Sequence, residues 1–172
     1  MRAWIALALL PLAACSGMTT ADFHTGTPTM ALEDFFQGDS TGYGMFFDRF
    51  GNVGRQFKVA MHGTWDGAAL HLDEDFTYDD GERQQRHWVF RKVGPTDYEG
   101  TAGDVIGISH GHYDGNAYQM HYTADVKRGD STVRLDFNDW LFRQSDKVVL
   151  NNSRATKFGV EVGQVELAFV KP

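Results

Sequence analysis

The sequence predicts an all-β protein, an antiparallel up-and-down β-barrel of about eight to ten strands with one short N-terminal helical turn. Three observations carry this. From Gly42 onward apolar and polar residues alternate with a period of two. Turn-forming pairs cut the alternation at short intervals: Gly51-Asn52, Asp66-Gly67, Asp80-Gly81, Asp114-Gly115, Gly129-Asp130, Ser145-Asp146 and Val162-Gly163. No helical pattern of ten or more residues lies between them, and the 19 glycines and 13% aromatic content suit such a chain.

The opening residues read as a leader. Arg2 precedes the apolar run Ala3 to Leu10 and then Leu12-Ala13-Ala14-Cys15. A charged start, a short apolar stretch and small residues before a cut site describe a secretory signal, and the run is too short to span a membrane. Leu-Ala-Ala-Cys resembles the bacterial lipobox, which implies a diacylated Cys15 as the mature N-terminus. Cys15 is the single cysteine, so the chain forms no internal disulfide. Ser16 stands where inner-membrane retention would want aspartate, so the expected place is the periplasmic face of the outer membrane. The acyl chains are then the membrane partner.

Without residues 1–14 the chain is one domain with enough length for a real core. Loss of Arg2 takes the formal charge from −7 to −8. An acidic chain without a Lys/Arg block offers no footprint for nucleic acid. Residues 15–30 are expected to be the lipidated cysteine and a flexible tether, and residues 31–172 the barrel. Thr29 is a candidate cap for a helical turn over Leu32 to Phe36 that ends at Gly38.

The turns predict a register. A three-residue loop Asp79-Asp80-Gly81 sets Leu70 opposite Phe90, Leu72 opposite Trp88 and Glu74 opposite Arg86. The same construction across Gly51-Asn52 sets Phe46 opposite Phe57 and Asp48 opposite Arg55. Across Asp66-Gly67 it sets Met61 by Leu72 and Val59 by Glu74. Across Gly129-Asp130 it sets Tyr122 by Phe137 and Met120 by Asp139. Across Ser145-Asp146 it sets Leu141 by Leu150 and Asp139 by Asn152. One inner face results, and a chain of this kind removes its exposed edges by closing on itself, as lipocalin-like (calycin-type) barrels do.

That face carries charge. An unpaired inward carboxylate costs several kcal/mol, so Glu74–Arg86 and Asp48–Arg55 are expected as ion pairs. They would form the polar end of a cavity walled by Phe57, Tyr78, Trp88, Tyr122 and their neighbours, with Asp139 also inside. His110 and His112 lie two apart on one strand, and a loop Tyr113-Asp114-Gly115 would set His110 by Tyr118 near the rim. Zinc wants three or four ligands and two are in hand, so neither metal nor cofactor is expected. No Gly-x-Ser-x-Gly, His-Glu-x-x-His or phosphate-loop sequence is present.

Several motifs together resemble a known family. They are Asp48-Arg49-Phe50-Gly51, Arg55, Gly63-x-Trp65-x-Gly67, Glu74-x-Phe76-x-Tyr78-x-Asp80-Gly81, Arg86-x-Trp88, Asp104-Val105-x-Gly107, Gly115-Asn116-Ala117, Asp139-Trp140, Asn151 and Lys157-Phe158-Gly159. In order and spacing they resemble the Gram-negative lipoprotein family known as domain of unknown function 3833. Asn138 departs from its pattern, which usually has an acid there. The resemblance implies a lipoprotein of this size and brings no reaction with it. The expected function is to bind or shield an apolar or amphipathic ligand such as a fatty acid or lipid, without catalysis. The alternatives are a lipid-modifying enzyme that uses a buried carboxylate–Arg site, and a structural envelope lipoprotein with a filled barrel.

Overall fold

The computed structural model describes residues 17–128 and 131–172. The leader, Cys15 and the Gly129-Asp130 turn lie outside the described residues.

Ten strands follow one another in strict up-and-down order: β1 (Gly38–Asp48), β2 (Val53–Trp65), β3 (Ala69–Tyr78), β4 (Arg83–Lys92), β5 (Asp97–Ala102), β6 (Val105–Asp114), β7 (Ala117–Arg128), β8 (Ser131–Arg143), β9 (Val148–Lys157) and β10 (Val160–Val170). Each pairs antiparallel with its neighbour, and β1 pairs with β10, so the barrel is closed rather than an open sheet with two free edge strands. The all-β antiparallel barrel read from the sequence is the fold.

Two expected registers are met. Tyr78 N donates to Glu82 O, Gly81 takes φ +85, and Leu70, Leu72 and Glu74 stand opposite Phe90, Trp88 and Arg86. Across the β7–β8 turn, Tyr122 faces Phe137 and Met120 faces Asp139. Elsewhere the strands slide. Phe46 pairs with Arg55 rather than Phe57, because the chain reverses in a three-residue loop: Asp48 N donates to Asn52 O, and the Asp48 carboxylate fixes the loop by accepting from Phe50 N and Asn52 N. Met61, not Val59, stands opposite Glu74. Asp139 stands opposite Ser153 rather than Asn152, which leaves Leu150 on the outer face, 45% exposed. The last turn is Phe158-Gly159, both at positive φ, and Val162-Gly163 instead lies inside β10 at a bulge. β6 and β7 meet through Asp114 and Ala117, three residues away from the expected register, so His110 pairs with His121 on the outside.

The two ends differ. Met30, Leu32, Phe35, Phe36, Leu70 and Val149 are almost wholly buried at the end where β2 and β10 finish. The helix α1 (Leu32–Phe36) is the plug there. Phe36 packs edge-on against Phe169 at 5.2 Å, and its carbonyl comes so close to Gly63 that a Cβ on Gly63 would overlap it. Glu33 ties the plug to the wall, accepting from Lys92 Nζ at 2.5 Å and Tyr98 Oη at 2.6 Å. Burial pushes the Glu33 carboxyl up, but these two donors outweigh it and leave the pKa below the usual value. The expected cap Thr29 does not serve: Ala31 is the N-cap, and the Thr29 carbonyl accepts from Arg143 Nη1.

Of the segment expected to be a flexible tether, the part from Thr20 packs on the barrel. A 3-10 turn at Thr20–Phe23 places the Phe23 ring 5.2 Å from Phe142 and 6.2 Å from Trp140. Met30 N then donates to Gly115 O in the β6–β7 turn. Period-two reasoning cannot see this, because Trp140 and Phe142 look like exposed outer-face residues until a strap covers them.

Toward the opposite end the inward residues Phe46, Phe76 and Val165 are only half-buried. The interior is therefore tightly packed at the plug and more loosely lined toward a mouth, where Phe57 and Tyr78 nonetheless stay buried.

Candidate functional site

Midway between plug and mouth, a polar band interrupts the apolar lining. It is assembled from β3 (Glu74), β4 (Arg86), the β5–β6 turn (Asp104), β7 (Tyr122), β8 (Asp139) and β9 (Ser153).

The Cα register places Glu74 opposite Arg86, but their side chains do not form the expected ion pair. Arg86 Nε donates to Asp104 Oδ1 at 2.9 Å. The cause is β5. It stops at Ala102 and pairs only with Trp88–Lys92 of β4, so the Arg86 side chain meets the β5–β6 turn where a neighbouring strand would otherwise run. Arg86 also lies over the Trp88 ring at 4.3 Å and near Tyr122 at 5.7 Å. Trp88 meets Tyr122 edge-on at 5.5 Å, and Tyr122 stacks on Phe137 at 4.9 Å, so the band has an aromatic wall.

This leaves Glu74 without a hydrogen-bond donor on Oε2. Its pKa is pushed up to about 7: burial is the main cause, Arg86 opposes it, and Asp104 and Asp139 add to it. Asp139 is raised as well, although it has donors that Glu74 lacks. Burial raises it to about 6 against the pull of Ser153, Arg86 and Tyr122. Tyr122 Oη donates to Asp139 Oδ2 at 3.3 Å, but Asp139 Oδ1 is buried with no partner. The Tyr118 hydroxyl, next along β7 toward the plug, is also buried without a partner, and burial raises its pKa. A folded chain rarely leaves several such groups together, since each costs roughly 1–3 kcal/mol. Concentrated in one interior band, they mark a place built to meet something else.

A second group lies at the mouth. Arg55 Nη2 donates to Asp80 at 2.8 Å and Glu82 at 2.7 Å in the β3–β4 turn, and its guanidinium stacks 3.5 Å over the Tyr78 ring. Phe57 packs against Phe46, Phe76 and Tyr78 at 5.0–5.9 Å. The expected Asp48–Arg55 pair is absent, because Asp48 is exposed and spends its carboxylate on its own turn. His110 is likewise outside the barrel, since the β6 register turns Ser109 and Gly111 inward in its place.

Of the expected interior residues, the structure brings together Glu74, Arg86, Trp88, Tyr118, Tyr122 and Asp139, and separately Arg55, Phe57 and Tyr78. It excludes Asp48 and His110. Sequence reasoning missed Asp104, visible only as part of Asp104-Val105, and Ser153, hidden by the one-residue slip of β9. Among the described residues no group of three or more His, Cys, Asp or Glu is placed to hold a metal ion.

Two clefts also open in the barrel wall. One open cleft of about 290 Å³ runs from Ile106, Ile108 and His121 to the inward Tyr122 and Phe137. It follows the β6 irregularity, where residues 107–109 have no partner on β7. Another, of about 530 Å³, touches Glu74 and Arg86 beneath the outward His62, Asp73 and His87.

Three comparisons set the chain among known proteins. A family model described as Protein of unknown function (DUF3833) matches residues 9–171. No curated protein matches in sequence. Among solved structures, the S-type phycobiliprotein lyase CPES from Guillardia theta superposes with a TM-score of 0.61 at 10% identity, covering 83% of this chain and 93% of that one. At that identity the likeness is one of fold, a lipocalin-like barrel. The chain belongs to the DUF3833 family.

Proposed function

We propose that this member of the DUF3833 family is a periplasmic lipoprotein of the outer membrane whose barrel binds or shields an amphipathic, lipid-like molecule. One observation carries the reading: a band of buried, unpartnered polar groups sits inside an aromatic-walled barrel that is plugged at one end and loosely lined at the other. Ligand sites have this composition, an apolar pocket with a few convergent polar groups. Barrels of this architecture commonly enclose such cavities, and the shared barrel fold is consistent with that use. The ligand's chain would lie along Phe46, Phe57, Phe76 and Phe137 toward the mouth, with its polar head at the Glu74–Asp139 band.

The anchor fits the same arrangement. The strap that begins at Thr20 docks at the plugged end, so a lipid on Cys15 would be joined to it by Ser16 to Thr19, four residues with a reach of at most ~14 Å. The plug would then face the membrane and the mouth the periplasm.

A second reading, acid–base catalysis on a bound lipid, is favoured by the two carboxyls that titrate near neutrality, at about 7 and about 6. Native mass spectrometry of protein extracted from cell envelopes tests the first reading. A co-purifying lipid at one per chain is the expected result, and chains that are empty under every mild extraction would overturn it. Turnover of the recovered lipid by fresh protein would select the second.

A further inference from the structure

The unspent chemistry of the interior is one-sided. The groups that face the polar band are Glu74 from β3, Arg86 from β4, Asp104 from the β5–β6 turn, Tyr118 and Tyr122 from β7, Asp139 from β8 and Ser153 from β9. Facing them at the level of the band, β1, β2 and β10 contribute Gly42 and Gly44, Val59 and Met61, and Val165 and Leu167, with no charge among them, while the inward cation of β2, Arg55, sits at the mouth on Asp80 and Glu82. That is three carboxyls to one guanidinium, and the guanidinium is already bonded to Asp104. What remains in the band is Glu74 Oε2, Asp139 Oδ1 and the Tyr118 hydroxyl; the other two buried side-chain atoms without a partner among the described residues, Ser40 Oγ and Arg55 Nε, lie toward the plug and at the mouth. Carboxylate oxygens only accept, and a phenol can accept as well.

A fatty-acid head would bring a further carboxylate beside Glu74 and Asp139. A head that brings donors instead relieves the buried groups. We propose that the ligand carries a primary ammonium on a long apolar chain, seated with its three N–H donors toward Glu74, Asp139 and Tyr118. This rests on the reading of the barrel as a lipid-binding protein and names the class of head that the band takes. Arg86 illustrates how a cation is held here, over the face of Trp88 at 4.3 Å, and an ammonium beside Tyr122 would meet a similar ring.

The test is calorimetry on delipidated full-length protein with three probes of equal chain length: dodecylamine, dodecanol and dodecanoate. At pH 8 dodecylamine should bind at least about tenfold tighter than dodecanol, and dodecanoate weakest. Glu74→Gln and Asp139→Asn should each weaken dodecylamine by about ten- to a hundred-fold and leave dodecanol within about threefold, since a hydrogen bond to a charged group is lost only for the amine. Asp75→Asn, the same charge change on the exposed outer face of β3, should leave dodecylamine unchanged, which separates the site from general attraction to an acidic protein. At pH 5, with Glu74 and Asp139 protonated, the preference for the amine should largely vanish. Dodecanoate binding as tightly as dodecylamine, or an amine preference untouched by both interior substitutions, overturns the ammonium assignment while a dodecanol signal keeps the lipid-binding reading intact. Failure of all three probes to bind overturns both.

Discussion

Glu74→Gln should change the stability of the barrel in opposite senses on the two sides of neutrality. The carboxyl is raised from 4.5 to about 7 in the folded protein because it is buried without a donor on Oε2. Between those pH values the folded chain binds the proton and the unfolded chain does not, so stability falls as pH rises through the window. The shift of about 2.5 units corresponds to about 3 kcal/mol, present below pH 4.5 and lost above pH 7. Glutamine cannot ionise and removes this dependence, while its own buried amide costs about 1–2 kcal/mol where it lacks partners. The variant should therefore be slightly less stable than wild type at pH 4 and more stable at pH 8, a relative swing of about 3 kcal/mol. For a chain of this length the swing is roughly 6–12 °C in Tm. Urea melts followed by tryptophan fluorescence at half-unit pH steps measure it. An ion pair of Glu74 with Arg86 demands the reverse, a loss of about 3–5 kcal/mol at pH 8. A variant uniformly less stable at every pH would refute the displacement of Arg86 from Glu74 to Asp104.

Asp104→Asn should cost about 1–3 kcal/mol near neutrality, less than a typical broken buried pair, because Arg86 can turn to Glu74. The same variant should lower the Glu74 pKa and flatten the acid-side pH dependence, and an unchanged profile would mean that Arg86 is fixed elsewhere. Glu33→Ala strips Lys92 Nζ and the Tyr98 hydroxyl of their shared acceptor and should cost about 2–4 kcal/mol. Hydrogen exchange should then quicken over residues 30–36 before the strands, and uniform quickening would deny that α1 is a separable plug. Cys15→Ala should move the protein from the membrane to the soluble fraction with its near-ultraviolet circular dichroism intact, and sedimentation with membranes after a salt wash would rule out lipid anchoring.

What the sequence discloses about such a barrel follows from the period of a strand. A register slip of two residues keeps every side chain on its face, so errors at the β1–β2 and β2–β3 turns left the inner face correct. Phe46 and Phe57 still touch, at 5.0 Å, although Phe46 is registered with Arg55. Odd slips invert a face. One residue at Ser145-Asp146 hid Ser153 behind Asn152, and three at Asp114-Gly115 put His110 inside when it is outside. The turns that misled are those whose length is set by side-chain or tertiary contacts: the Asp48 carboxylate gathering Phe50 N and Asn52 N, and Gly115 receiving Met30 N from the strap.

Polar partners are less legible than faces, for a further reason. Register fixes Cα positions about 5 Å apart, but an arginine reaches farther than that and chooses among all acceptors in range. Arg55 passes over its own hairpin to Asp80 and Glu82 on the next, and Arg86 passes over Glu74 for Asp104. Both choices are fixed by where a neighbouring strand ends, which no alternation pattern encodes. Arg86 turns aside because β5 is only six residues long, and its turning aside is what leaves Glu74 bare. The short strand, the displaced arginine and the unpartnered acids are thus one linked feature. Lengthening β5 by two residues to cover Arg86 should return it to Glu74, lower the Glu74 pKa toward the ordinary carboxylate range, and abolish the preference for an ammonium head along with it.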